Sequence, residues 1–396
     1  MNFKEICTAF FLIAISLTDA FVFGKVTISD LCLIFLLFPI IYSRKPIIPK
    51  QTIIFILIAI FGLFVGMINN NPIQYKSFVA SVLVSFLVGI FSQIKIDLYK
   101  QINFGKVVSF ILVVLSLFTI LDFISGLLFF KTLNFSGLFG NDARIFGGYF
   151  EGGGIIVRPC GLFPEPGDNA SILSIFVALK LYLNKKHNIK NISNKNISLL
   201  LGLFSIAITR SNLGVLTLIL IVFYLLYEDL QSNGFLKNLL NRYVIKVYRL
   251  KKKNFIIILL YALMLTVSIT FVLPRIYFLI AATGTIDLTR MDTLLAVFDI
   301  DRGFTDLLLG TSFEIPNLLI NSLSQFINLF YQFGILSFIL FYIMLRPAFK
   351  HSNSLFLFLF ILFLSKLTIA TIPFWLAIYF CENEFKQTMI EKKIKN

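Results

Sequence analysis

The chain has 396 residues, of which 58% are apolar and only 14% charged, and its mean hydropathy is +0.89. A water-soluble domain carries about a quarter charged residues and under half apolar ones, so a soluble globule is excluded. The net charge of +15 would indicate nucleic acid in a soluble chain; here it indicates the cytoplasmic face of a bilayer, and no nucleic-acid partner is expected.

A helix needs roughly 20 apolar residues to cross the hydrocarbon. Runs of this kind occupy residues 6–23, 28–42, 51–68, 76–92, 107–130, 168–183, 197–209, 212–227, 254–273 and 317–345. The first run lacks a small-x-small cleavage site and another apolar run follows at once, so it reads as a membrane helix rather than a signal peptide. The last run, 354–380, is broken by Lys366 and Pro373, and forms either one long helix or two short ones meeting near Lys366. Cys7, Cys32 and Cys381 lie in or beside apolar runs and Cys160 stands alone in a loop, which excludes a disulfide framework and a zinc site.

Charge sidedness decides the last ambiguity. With twelve spans and a cytoplasmic N-terminus, 25 of the 35 Lys and Arg fall inside; eleven spans would send the tail lysines 386, 392, 393 and 395 across the membrane. The expectation is therefore an all-α polytopic membrane protein, a single integral membrane domain over 1–396 with about 12 transmembrane helices and both termini cytoplasmic. Two long extracytoplasmic loops interrupt it, 131–167 and 274–316. The first holds nine of the 22 glycines; the second holds six acidic residues and three arginines. The basic loop 228–253 reads as a solvated face near anionic lipid.

The inside positions comprise 21 Lys and four Arg, whereas the ten outside comprise four Lys and six Arg: Arg144, Arg158, Arg210, Arg275, Arg290 and Arg302. Arginine on the side the charge rule disfavours calls for a reason. Its planar fork binds phosphate or carboxylate bidentately, which lysine cannot do. Bracing outer loops against outer carboxylates is the alternative.

Three stretches carry the outer chemistry. Residues 158–170, Arg-Pro-Cys-Gly-Leu-Phe-Pro-Glu-Pro-Gly-Asp-Asn-Ala, close the first long loop. They enter a helix from Asp168, which Asp168 and Asn169 can cap. Arg158 and Glu165 stand seven residues apart on a proline-stiffened path, either as a reaction centre or as an Arg–Glu clasp. Thr209-Arg210-Ser211 forms a turn between two apolar runs, its arginine facing a polar cavity or snorkelling to the interface. Arg290-Met-Asp292 lies in the second loop, followed by Leu309-Gly310 and by Gly334 in the next run. Asp299-Ile-Asp301 reads as a solvated acidic turn, and the glycines of 147–154 form no phosphate-binding loop because no Gly-Lys-Ser/Thr follows. His187 and His351 are both expected on the cytoplasmic side, so no histidine-based chemistry is available outside.

Taken in order, Arg-x-x-Gly-x-x-x-Glu-Pro at 158–166, the Thr-Arg-Ser turn at 209–211, Arg290 with Leu309-Gly310, a long helix carrying Gly334-Ile335, and the Lys366 to Trp375 tail resemble the O-antigen polymerases (Wzy-type) of the polymerase and ligase superfamily. The resemblance covers roughly residues 130 to 380. The related ligases carry an outer histidine ahead of the glycine matching Gly334; residues 317–334 hold none, which favours polymerase over ligase. The resemblance implies a GT-C-like membrane glycosyltransferase of the bacterial inner membrane. It would transfer a growing O-antigen chain between undecaprenyl-pyrophosphate-linked donor and acceptor glycans on the periplasmic face, under a chain-length regulator as partner. Arg158, Arg210 and Arg290, with Arg275 after them, are the expected pyrophosphate ligands; Glu165, then Asp168 and Asp292, are the candidates for the proton-accepting carboxylate. No metal and no cofactor is required. A lipid-linked oligosaccharide flippase is the rival reading from another class.

Overall fold

The computed structural model describes residues 1–18, 21–23, 26–42, 47–68, 75–94, 102–129, 133–139, 148–149, 155–187, 189, 196–231, 308–310 and 325–395. These residues are overwhelmingly helical. The helices are α1 (Phe3–Ser16), α2 (Ile28–Tyr42), α3 (Lys50–Ile68), α4 (Tyr75–Gln93), α5 (Phe104–Phe129), α6 (Pro166–Lys186), α7 (Ile197–Ile208), α8 (Asn212–Gln231), α9 (Gln325–Phe333), α10 (Leu336–His351), α11 (Asn353–Leu364) and α12 (Ile372–Lys395). Two short antiparallel hairpins complete the described elements: β1 (Phe21–Phe23) with β2 (Val26–Thr27), and β3 (Gly148–Tyr149) with β4 (Ile155–Ile156).

Among the described residues three helices, α3, α4 and α5, are long and apolar enough to cross a membrane, and α7, α11 and parts of α2 and α8 form shorter apolar helices. The long ones are apolar outward as well as inward. Leu57, Phe61 and Phe64 of α3, Val79 and Leu83 of α4, and Leu117, Leu121 and Leu128 of α5 face outward. Their inward faces mix apolar residues such as Phe55, Val88, Ile111 and Leu112 with small and polar ones: Thr52, Gly62 and Gly66; Ser81, Ser85 and Gly89; Ser116, Thr119, Ser125 and Gly126. Small side chains that allow close backbone approach are the kind of packing surface used where helices associate in lipid. Serines there satisfy themselves on their own helix, as Ser81 Oγ does by donating to the Ser77 carbonyl at 2.7 Å. Gly89 admits the Thr52 hydroxyl, which is hydrogen-bonded to the Tyr379 hydroxyl of α12.

α6 is the central post. It is buried along most of its length and packs against α5, α7, α8 and α11. The structure departs from the sequence expectation in two places. The first run does not stay helical to residue 23: α1 ends at Ser16, and Phe21–Phe23 is extended. The run 317–345 is not one helix where it is described, because Gly334 adopts φ +52° and separates α9 from α10. Leu309-Gly310 seats in that break. Gly310, at φ +80°, lies against the backbone of Gln332, and the Leu308 carbonyl accepts from Ile335 N at 3.0 Å. Of the two alternatives for the run 354–380, the structure has the two helices, α11 and α12, separated by residues 365–371 around Lys366.

The helix ends sort into two groups. At one end Asn103 N donates to Glu5, Asn383 Nδ2 donates to the Ser92 carbonyl, Lys186 pairs with Glu384 at 2.7 Å, and Tyr182 meets both Glu384 and His351. At the opposite end lie the start of α6, the α7–α8 turn and residues 365–371. Every residue in the first group belongs to a loop or helix end that charge sidedness assigns to the cytoplasm.

Candidate functional site

The site grows from the way the first long loop is tied down. Asp122, near the end of α5, is fully buried. Its carboxylate accepts from Leu133 N at 2.7 Å, Cys160 N at 2.7 Å and Gly161 N at 3.2 Å. One buried carboxylate thus clamps both ends of the 131–167 segment, and the three N–H donors replace the water it has lost. Gly161 is required at the second clamp. Its φ is +58°, and a methyl group there would press on the Thr119 hydroxyl and the Asn169 amide.

The chain then turns through Pro164-Glu165-Pro166 into α6. Glu165 is the N-cap, extended at φ −128°, and Pro166 occupies the first helical position, where its missing N–H costs nothing. The helix therefore starts before the expected Asp168. Asp168 sits in the first turn, where its charge complements the helix dipole. Asn169 does not cap either: its Nδ2 donates to Thr119 Oγ1 of α5 at 3.0 Å.

The Glu165 side chain makes no capping bond because it reaches elsewhere. It accepts from Lys366 Nζ at 2.7 Å, and the same ammonium lies 3.2 Å from Asp168. Lys366 occupies the connection between α11 and α12, and its backbone N donates to Ser171 Oγ of α6 at 3.2 Å. Below it, Trp375 Nε1 donates to the Ile369 carbonyl at 2.7 Å and braces the turn. Only 15% of the Lys366 side chain is exposed. Burial opposes its charge, but the Asp168 and Glu165 carboxylates outweigh that effect and hold the ammonium above the ordinary lysine range.

Arg158 is half-buried just after β4, with its Nε shut away from solvent. It belongs to the same cluster, since Asp122, Arg158, Asp168 and Glu165 all act on the Cys160 thiol. Burial, then Asp122, pushes that thiol up to about 12, so Cys160 is protonated at neutral pH and is no nucleophile. Arg210 sits in the α7–α8 turn with φ +50°, exposed. Ser211 Oγ accepts from Gly214 N at 2.8 Å and caps α8, and Gly214 lies against Ala170 in the first turn of α6. This packing ties the start of α8 to the start of α6 and places the Arg210 turn at the same end of the bundle as Glu165.

No family model, no curated protein and no solved structure matches the chain.

The structure thus brings together Arg158, Glu165 and Asp168, and leaves Arg210 exposed in a turn at the same end of the bundle. Arg275, Arg290 and Asp292 lie outside the described residues. Lys366 and Asp122 are the two members that the motif reading did not select. Each is an isolated charge within an apolar run, a pattern that in a membrane helix marks a position with an assigned partner. Chemically, the cluster offers two partly exposed carboxylates fixed on one ammonium, with guanidinium groups alongside. That set can accept a proton from a hydroxyl and hold an anion.

Proposed function

We propose that the chain is a polytopic glycosyltransferase of the bacterial inner membrane, of the O-antigen polymerase kind. In this reading it has about twelve GT-C-like spans, both termini are cytoplasmic, and the Glu165–Lys366 end faces the periplasm. The observation that carries the reading is the convergence of Glu165 and Asp168 on Lys366, with Arg158 in the same cluster, at the end of the bundle opposite the lysine-rich helix ends. The apolar outward faces of α3, α4 and α5 support the membrane setting.

The substrates in this reading are two undecaprenyl-pyrophosphate-linked glycans. Arg158 and Arg210, joined by Arg290 and Arg275 of the second loop, bind the donor's diphosphate and stabilise charge as it leaves. The bond between the anomeric carbon and the phosphate oxygen breaks, its electron pair stays on the pyrophosphate, and the acceptor hydroxyl forms the new glycosidic bond. Glu165 takes the hydroxyl proton, with Asp168 and Asp292 as the other carboxylates within the proposal. Lys366 holds the Glu165 carboxylate in place. The pyrophosphate is itself an activated leaving group, so the chemistry calls for neither nucleotide nor metal.

The test is polymer formation by the purified full chain from defined lipid-linked repeat units. Wild type is expected to give a ladder of products, and Glu165→Gln and Arg210→Ala to give none at normal protein abundance. A ladder from either variant overturns its assignment. In cells, loss of the polymerase leaves single repeat units on the lipid core, whereas loss of a flippase leaves none, which separates the two classes.

A further inference from the structure

A cavity of about 690 Å³ opens at the lysine-rich end, between the first turns of α5 and the last turns of α6. Lys180 lines it and is only 7% exposed. Its ammonium, carried to the start of α5, donates to the Gly105 carbonyl at 3.0 Å, its one hydrogen bond among the described residues. No carboxylate among the described residues acts on it. An ammonium has three donors, and a buried cation without a counter-charge is costly, so the cavity wall presents an unmet demand for an anion.

The rest of the lining says which kind. Lys106 and His187 in the lining are exposed, whereas Asn184 and Leu183 are buried and Phe110 half-buried. Glu5, whose carboxylate accepts from Asn103 N, is close enough to Lys106 to offset part of its charge, which leaves Lys180 as the principal cation. A cavity lined by lysines together with Phe110, Val113, Leu183 and Ile189 matches a phosphate attached to a hydrocarbon chain, not a free phosphate. We infer that this cavity binds an anionic phospholipid, its phosphate on Lys180 and Lys106 and its acyl chain along Phe110 and Leu183. The inference concerns a different end of the molecule from the proposed glycosyl-transfer site and stands without it.

The experiment uses the purified full chain in detergent, incubated with phosphatidylglycerol, phosphatidylcholine or inorganic phosphate, with retained lipid counted by native mass spectrometry. Phosphatidylglycerol is expected to be retained about fivefold over phosphatidylcholine, and Lys180→Gln to reduce that retention by about the same factor. Lys350→Gln, an exposed lysine away from the cavity, is expected to leave it unchanged. If Lys180→Gln does not fold, Lys106→Gln is read instead, with a loss of about twofold expected. Equal retention of the two lipids, or wild-type retention by the variant read, overturns the site. Displacement of phosphatidylglycerol by an equal concentration of inorganic phosphate overturns the lipid assignment.

Discussion

Lys366 Nζ lies 2.7 Å from the Glu165 carboxylate although 201 residues separate them in the chain. The contact joins the α11–α12 connection to the N-terminus of α6, so it is both a structural tie and part of the proposed catalytic cluster. Removing the ammonium by Lys366→Met leaves two carboxylates facing each other with little water. The expected cost is roughly 3 kcal/mol of stability, and Lys366→Arg is expected to recover most of it. Thermal unfolding in detergent or nanodiscs measures both. A Met variant as stable as wild type would show that the pair is energetically idle.

The same pair sets an alkaline limit. The ammonium is held above the ordinary lysine value of 10.5 in the folded chain. Its contribution is therefore fully present below that value and is lost as pH rises through the higher folded value. Stability should fall steeply on the alkaline side, and Lys366→Arg, whose guanidinium stays charged to higher pH, should move that fall upward. Melting curves from neutral pH into the strongly alkaline range give the answer.

Asp122 should be a position where charge and geometry are both needed. Asp122→Ala orphans three buried or half-buried N–H groups, and about 3 kcal/mol or more should be lost. Asp122→Asn can accept fewer of those bonds and should fall between. Limited proteolysis of the 131–167 segment is the sensitive reading, with cleavage accelerated in the order wild type, Asn, Ala. Unchanged cleavage in the Ala variant would remove Asp122 as the clamp.

Gly310→Ala should be disruptive beyond its single methyl. The residue has φ +80°, and the added carbon would collide with the Gln332 carbonyl. A left-handed alanine alone costs roughly 1–2 kcal/mol, and here the neighbouring backbone must move as well. Folded protein recovered from membranes should drop sharply, measured by size-exclusion profile. A monodisperse, normally abundant variant would contradict the seat of Leu309-Gly310 in the α9–α10 break.

Much of the helical order was legible because apolar runs of the right length announce helices regardless of their partners. The separation of helix ends was legible too, through lysine placement. What stayed hidden had a local cause. Gly334 lies in an unbroken apolar run, so hydropathy passes straight through it; only its backbone angle ends α9. Pro166 opens α6 two residues before the acidic residue that looked like its cap. Glu165 and Asp168 stood out by their motif, but their partner did not. A lone lysine 200 residues downstream has no spacing that points to α6, and only the three-dimensional arrangement of α6 and α11 supplies it. Asp122 was masked in the same way by the length of the apolar helix that carries it.

The chain has one tryptophan, and it is Trp375, wholly enclosed, with its indole nitrogen tied to the turn that presents Lys366. Nature has thereby installed a single optical sensor under the candidate centre. Its emission reports on that corner alone, free of overlap from any other indole, so titrating glycolipid into the unlabelled protein gives a direct view of occupancy there.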